Sequence, residues 1–244
     1  MQTFRFGQWR SALALFSVLA LLAACASLPA GQPQPVKSPN DDYGYRYLTL
    51  PNQLEVLLIS DPEAPKAAAS LDVLVGSGDN PPGREGLAHF LEHMLFLGTD
   101  KFPEAGDYQQ FIAQHGGSHN AYTSFEHTNY FFDIQAGYLP GALDRFAQFF
   151  VAPRFDAVYV EREMNAVEAE YQMGLRSDSR RGLDVLQDVM NPAHPFSAFT
   201  VGSLQTLADT PEQPIREDLL RFYEQHYSAN KMRLVVFGAE SLDE

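Results

Sequence analysis

Gly86-Leu-Ala-His-Phe-Leu-Glu-His-Met-Leu-Phe-Leu97 is the stretch from which the rest of this 244-residue chain can be read. Leu87, Phe90, Leu91, Met94, Leu95 and Leu97 supply the apolar surface of a buried helix, expected from near Glu85 to a terminating glycine at Gly98. His89 and His93 are four residues apart, so on a helix they lie one above the other on the same face. Glu92 lies about 60° round the helix from His89 by the 3.6-residue period. Two neutral imidazoles so placed suit a zinc ion, and the glutamate can reach water at the same ion. The order H-x-x-E-H is the reverse of the commoner zinc-protease order H-E-x-x-H.

Outward from this helix, residues 45–50 and 54–60 are apolar, partly β-branched runs on either side of Pro51-Asn52-Gln53, which predicts a hairpin. Residues 69–75 predict a third strand. Asp107 is expected to cap a helix over 108–115, ended by Gly116-Gly117. Strands are expected at 119–124 and 128–134, around Phe125-Glu126-His127. Leu143, Phe146, Phe149 and Phe150 recur at helical spacing. A long helix is expected from Asp156, with Val158, Val160, Met164, Val167 and Tyr171 as candidate core positions. Further helices are expected at 183–190 and 214–227, and a strand at 232–237. This order predicts an α+β fold, a mixed, largely antiparallel sheet packed against helices. Ser241 and Glu244 form a capping-box pattern, so another helix is expected to begin there. On that ground the domain, residues 43–244, is expected to be truncated at its C-terminus.

With 17 basic and 31 acidic residues the net charge is −14, and no basic patch stands out to neutralise phosphates; nucleic-acid binding is excluded. Residues 1–24 read as a signal peptide: Arg5 and Arg10 precede an apolar run over 11–22, too short for a comfortable membrane span. The run ends in Leu22-Ala-Ala-Cys25, whose cysteine is the only one in the chain. This resembles a bacterial lipobox, which implies cleavage before Cys25 and a diacylglycerol on its sulfur; the plainer alternative is an ordinary signal peptide cut after Ala24. Residues 25–42 follow as a Pro-rich, polar tether. Ala26 behind the cysteine, by resemblance to enterobacterial sorting, favours the outer membrane, facing the periplasm.

A catalytic zinc needs a third protein ligand and an open position. His115, His119, His127, His194 and His226 are candidates by type, each more often a surface or hydrogen-bonded residue. The acidic segment over 160–171 is a better source. Glu163 and Glu170 are seven apart and share a face, whereas Glu168 points away from Glu170. Spacing alone does not choose between Glu163 and Glu170. An ion held by two histidines and one glutamate keeps a net positive charge and lowers the pKa of its water toward ~7. Glu92 would take that proton as general base and pass it to a leaving amine, which is metal-assisted peptide hydrolysis.

Together these residues resemble the pitrilysin/insulin-degrading family of inverted zinc metallopeptidases. The likeness is carried by residues 86–99, by Lys101-Phe-Pro103, by the block His115-Gly-Gly-Ser-His-Asn-Ala-Tyr-Thr-Ser-Phe-Glu-His-Thr-Asn-Tyr-Phe-Phe-Asp133, and by Glu163 with Glu170. It implies an endopeptidase with Zn2+ as cofactor and peptides or small unfolded proteins as substrates. It implies Glu170 as the third ligand, because 76 residues separate it from His93, as in the family. It further implies that Glu163 helps hold the ligand set. Asn120 and Ala121 match the edge strand where family members bind substrate backbone, a recognition mode that tolerates varied side chains. Long family members close a chamber from four homologous domains. The resemblance therefore implies a missing C-terminal half or a partner chain, besides the peptide and a membrane reached through the lipid. The alternative is a non-catalytic, peptide-binding envelope lipoprotein or one half of a two-chain peptidase. A zinc lyase with the same motif is disfavoured, since those enzymes use a catalytic cysteine and the only one here is Cys25.

Overall fold

A computed structural model describes residues 35–210 and 213–244. The signal-peptide and Cys25 readings, and the tether up to residue 34, lie outside the described residues. β1 (Gly44–Thr49) and β2 (Glu55–Ser60) form the expected hairpin. Its turn is closed by the Leu50 N–H donating to the Leu54 carbonyl at 2.9 Å, and by the Leu54 N–H donating to the Asn52 side chain at 3.2 Å. The other strands are β3 (Lys66–Val73), β4 (Ser118–Thr123), β5 (Thr128–Gln135) and β6 (Met232–Gly238). They form one six-stranded sheet in the order β1-β2-β6-β3-β5-β4. Only the β2–β6 pair is parallel, so the sheet is mixed and largely antiparallel, and the fold is α+β.

The strands obey the period of two. Ala67, Ala69, Leu71 and Val73 of β3, and Thr128, Tyr130, Phe132 and Ile134 of β5, are buried, while their neighbours are more exposed. The buried rows join one core with α1 (Leu87–Leu95), α2 (Asp107–Gln114), α3 (Leu139–Gln148), α4 (Ala157–Gly174) and α6 (Ile215–His226). α5 (Asp178–Val189) lies at the periphery and buries only Gln187.

α1 is the inner helix. Leu87, Ala88, Phe90, Leu91, Met94 and Leu95 are all at most 1% exposed, and a helix apolar around most of its circumference belongs inside a core. Each such large side chain contributes roughly 1.5–3 kcal/mol by leaving water. The helix entrance is built without a local side-chain cap. Gly86 occupies the cap with φ +92°, and the Asn80 side chain accepts the Ala88 N–H at 2.9 Å from eight residues upstream. A Cβ on Gly86 would run into the backbone of Gly202, which itself has φ +91°. Arg84 fixes the approach. It donates to Asp218 at 2.6 Å, to the Ala208 carbonyl at 2.6 Å and to the Gln213 carbonyl at 2.5 Å. The Arg84 and Asp218 side chains are 7% and 3% exposed, a buried pair whose charges are spread over several hydrogen bonds.

Several sequence expectations shift. α1 is shorter at both ends than residues 85–98, and Gly98 sits at φ +100° beyond it. Asp107 is not a cap: Gly106 holds that place, and the Asp107 carboxylate lies in the first turn, accepting Arg145 Nε at 2.7 Å. Val158 is 77% exposed rather than in the core. It lies two residues, about 200° of helix, from Val160, whereas Val160, Met164 and Val167 form the stripe that packs inward. α5 begins at Asp178, before the expected 183, because its polar first turn carries no apolar periodicity. At the end of the chain Glu244 accepts the Ser241 N–H at 3.0 Å, half of the expected capping box, within a turn.

Gly83 and Gly86 separate conformational strain from steric exclusion, since Gly83 has φ +79° with nothing within 4 Å of a new Cβ. Gly83→Ala should cost about 1–2 kcal/mol. Gly86→Ala should cost roughly 2–5 kcal/mol or prevent folding. Urea unfolding of the two variants checks the difference, and equal losses would contradict the Gly86–Gly202 contact.

Candidate metal centre

α1 presents His89 and His93 toward α4, and α4 returns Glu170. The Nε2 atoms of His89 and His93 are 3.3 Å apart. Glu170 places one oxygen 3.4 Å from His89 Nε2 and the other 3.6 Å from His93 Nε2. Among the described residues this is the group of three possible metal donors, all within 4.8 Å of one another. A zinc ion with bonds near 2.05 Å has tetrahedral ligand–ligand edges of about 3.3 Å. The donor set thus fits one such ion in both type and spacing.

The far sides of the rings explain their orientation. His89 Nδ1 lies 2.7 Å from the Val201 carbonyl oxygen, which can only accept, so the imidazole proton sits on Nδ1. His93 Nδ1 faces Glu163 Oε2 at 3.4 Å. Both Nε2 atoms therefore turn lone pairs toward each other and toward a carboxylate, an arrangement that calls for a cation. Three carboxylates, those of Glu92, Glu163 and Glu170, surround the two rings, and the electrostatics follow. Burial opposes a charged His89, but the pull of Glu170, the Val201 carbonyl and Glu92 prevails and raises its pKa. Glu170 is held below the usual carboxylate range by His89, against its partial burial. Glu163 is also held low, by His93 first and then by Arg162, whose Nε donates to its other oxygen at 2.8 Å.

The two acids that spacing left open thus take separate places. Glu170 faces the Nε2 atoms, and Glu163 sits behind His93. Glu168 turns to the opposite side, accepting the Leu204 N–H at 2.8 Å and the Gln172 side chain at 2.7 Å. The remaining histidines are not among the three converging donors, although His119 lines the same cleft. His115 Nδ1 meets the Phe111 carbonyl at 2.7 Å, His127 pairs with Asp72 at 2.7 Å, and His194 accepts the Phe196 N–H at 3.2 Å. His226 packs on Phe222, and His119 packs between Phe96 and Tyr108.

Glu92 is 7% exposed. Burial raises its pKa, opposed by a hydrogen bond from the Thr123 hydroxyl at 2.5 Å and by the two imidazoles. The cluster lies in a cleft of about 840 Å³. One wall is β4, the edge strand of the sheet, including Asn120 and Ala121; the other is α4 with α5 from Arg180 to Gln187. Among the described residues β4 pairs only with β5, so the other side of its backbone faces no described strand. The sequence reading missed Val201, Thr123 and α5 as parts of this site. A backbone carbonyl carries no residue signature, and Thr123 is 31 residues from Glu92 with no helical period to link them.

The sequence model of the insulinase family (peptidase family M16) matches residues 55–193, more than half of the chain. The chain belongs to the insulinase family. Among its relatives is the mouse insulin-degrading enzyme, 50% identical over 214 residues, which cover 86% of this chain and 21% of the relative. Protease 3 of Shigella flexneri is 41% identical over 241 residues, 97% of this chain and 25% of that protein. The crystal structure of pitrilysin superposes with a TM-score of 0.83 at 42% identity, covering 85% of this chain and 22% of that one. The chain thus spans about a fifth to a quarter of the length of these insulinase-family relatives.

If the cluster binds a divalent ion, zinc at one hundred times its Kd should raise the unfolding free energy by about 2.7 kcal/mol. Glu170→Ala should abolish most of that gain, and Glu168→Ala should keep it. Thermal unfolding with and without zinc, together with metal analysis, checks this. Equal zinc responses in the two variants would remove Glu170 from the site.

Proposed function

We propose that this domain is the zinc-bearing part of an endopeptidase acting on peptides or small unfolded proteins. The observation that carries the reading is the convergence of His89, His93 and Glu170 beside the buried carboxylate of Glu92, in a cleft walled by an edge strand. The names of the relatives, insulin-degrading enzyme and protease 3, support it. A zinc ion held by the two histidines and Glu170 supplies Lewis acidity, acidifying water and polarising a carbonyl. Glu92 takes a proton from water and delivers it to the leaving amine nitrogen. Its burial raises its affinity for that proton, which suits a group that must hold it between the two transfers. The Val201 carbonyl and Glu163 keep the imidazoles turned with Nε2 inward. The outer edge of β4 at Asn120 and Ala121 takes the substrate main chain as an added strand, which explains tolerance of varied side chains.

The relatives are about four times as long as this chain. We place the remaining substrate contacts on further domains or on a partner chain that closes over the cleft. We also assign residues 1–24 to export and Cys25 to a lipid anchor at the outer membrane, facing the periplasm, on the strength of Leu22-Ala-Ala-Cys25 and Ala26.

Glu92→Gln should leave zinc bound and lower kcat by about 10²–10⁴-fold in the complete enzyme. Peptide turnover at the wild-type rate by this variant would remove Glu92 from its role. Cys25→Ser should shift the expressed protein from the membrane to the soluble fraction. Unchanged fractionation would rule out the lipid anchor.

A further inference from the structure

We infer that Thr123 is a positioning residue for Glu92: its hydroxyl holds one oxygen of the carboxylate and reserves the other for proton transfer. The inference rests on the reading of Glu92 as general base. A carboxylate can only accept, so the Thr123 proton is committed to Glu92 Oε2, 2.5 Å away. Among the described residues no other side chain or backbone group donates to Glu92. Its Oε1 has no donor there, and Glu92 lines the cleft. The terminal torsion of a glutamate is broad and roughly two-fold. Without the hydroxyl the carboxylate plane would turn easily, and neither oxygen would keep a fixed place beside the metal ligands.

Thr123 is itself held independently of Glu92. It closes β4 opposite Thr128 of β5. Thr128 is fully buried and donates its hydroxyl to the Val75 carbonyl at 2.9 Å. The turn that follows is tied down on both sides. The Ser124 N–H donates to the His127 carbonyl at 2.8 Å, and the Ser77 and Gly78 N–H groups donate to the Ser124 and Phe125 carbonyls at 2.9 and 2.8 Å. Gly76 makes that approach possible, since a Cβ there would collide with the same two carbonyls. A rigid hairpin thus delivers one hydroxyl to one carboxylate oxygen.

The position has a second consequence. Thr123 stands two residues from Ala121 on β4. The strand proposed to dock substrate main chain is therefore also the strand that orients the base. A substrate strand laid on β4 and the oxygen of Glu92 share one rigid frame, so the scissile bond and the proton acceptor are aligned together.

The test uses the full chain with Thr123→Val, which keeps the β-branched shape, and Thr123→Ser, which keeps the hydroxyl. Zinc content, hydrolysis of an unstructured fluorogenic peptide, and crystal structures are compared with wild type. Thr123→Val should bind zinc normally, lower kcat about 10–100-fold and leave KM within about two-fold. Thr123→Ser should recover kcat to within about three-fold of wild type. The Glu92 carboxylate should be rotated or in two conformers in Thr123→Val and single in Thr123→Ser. An unchanged kcat in Thr123→Val, a loss that Thr123→Ser does not recover, or a parallel loss of zinc would each overturn the inference. If wild type hydrolyses no peptide, turnover needs the further domains or partner chain proposed above, and the crystal structures decide the positioning alone. A fixed Glu92 in Thr123→Val then refutes it, and a released one supports it.

Discussion

A helix sunk in a core must find partners for every polar group it carries, because a buried donor or acceptor left alone costs on the order of 1–3 kcal/mol. α1 carries two imidazoles and a carboxylate into such a place. Each is answered from a different part of the chain. The loop before Gly202 offers the Val201 carbonyl to His89, α4 offers Glu163 to His93, and β4 offers the Thr123 hydroxyl to Glu92. The architecture around α1 can be understood as three elements placed to satisfy one helix. What they leave unsatisfied is the inward side, where two Nε2 lone pairs and the Glu170 carboxylate converge.

Arg84 shows the same constraint at the helix entrance. Its guanidinium is buried, and each of its three nitrogens donates one hydrogen bond, which ties the approach to α1 to α6 and to the segment around Ala208 and Gln213. The Gly86–Gly202 contact completes the join. One consequence is that the orientation of His89 is coupled to Gly202, the residue after its hydrogen-bond acceptor. The loop that satisfies the ring and the glycine that lets the backbones touch are neighbours in sequence.

Much of this was legible in the sequence where a period connects the residues. The α1 face, the β3 and β5 alternation and the β1–β2 hairpin follow from local patterns, and the expected sheet character agrees. Val158 was misread because apolarity was counted without its angular position, and Asp107 because an acid before a helix resembles a cap until a partner such as Arg145 claims it. The choice between Glu163 and Glu170 was not open to spacing, since both share a face. It is their heights along α4 relative to His89 and His93 that separate them. Thr123 and Val201 were invisible because tertiary pairing alone brings them to α1. Family resemblance pointed to Glu170, but the physical reason appears only when the two helices are set side by side.

The place of β6 has a consequence for how this molecule comes into being. It lies between β2 and β3, pairing Arg233 with Glu55 and with Asp72, although it comes after the other five described strands in sequence. Without it the sheet would be two separate pieces with two unpaired inner edges, and long-range pairing of this kind is generally slow to form. A polypeptide emerging in order would carry its histidines and glutamates before the strand that completes the sheet beneath them.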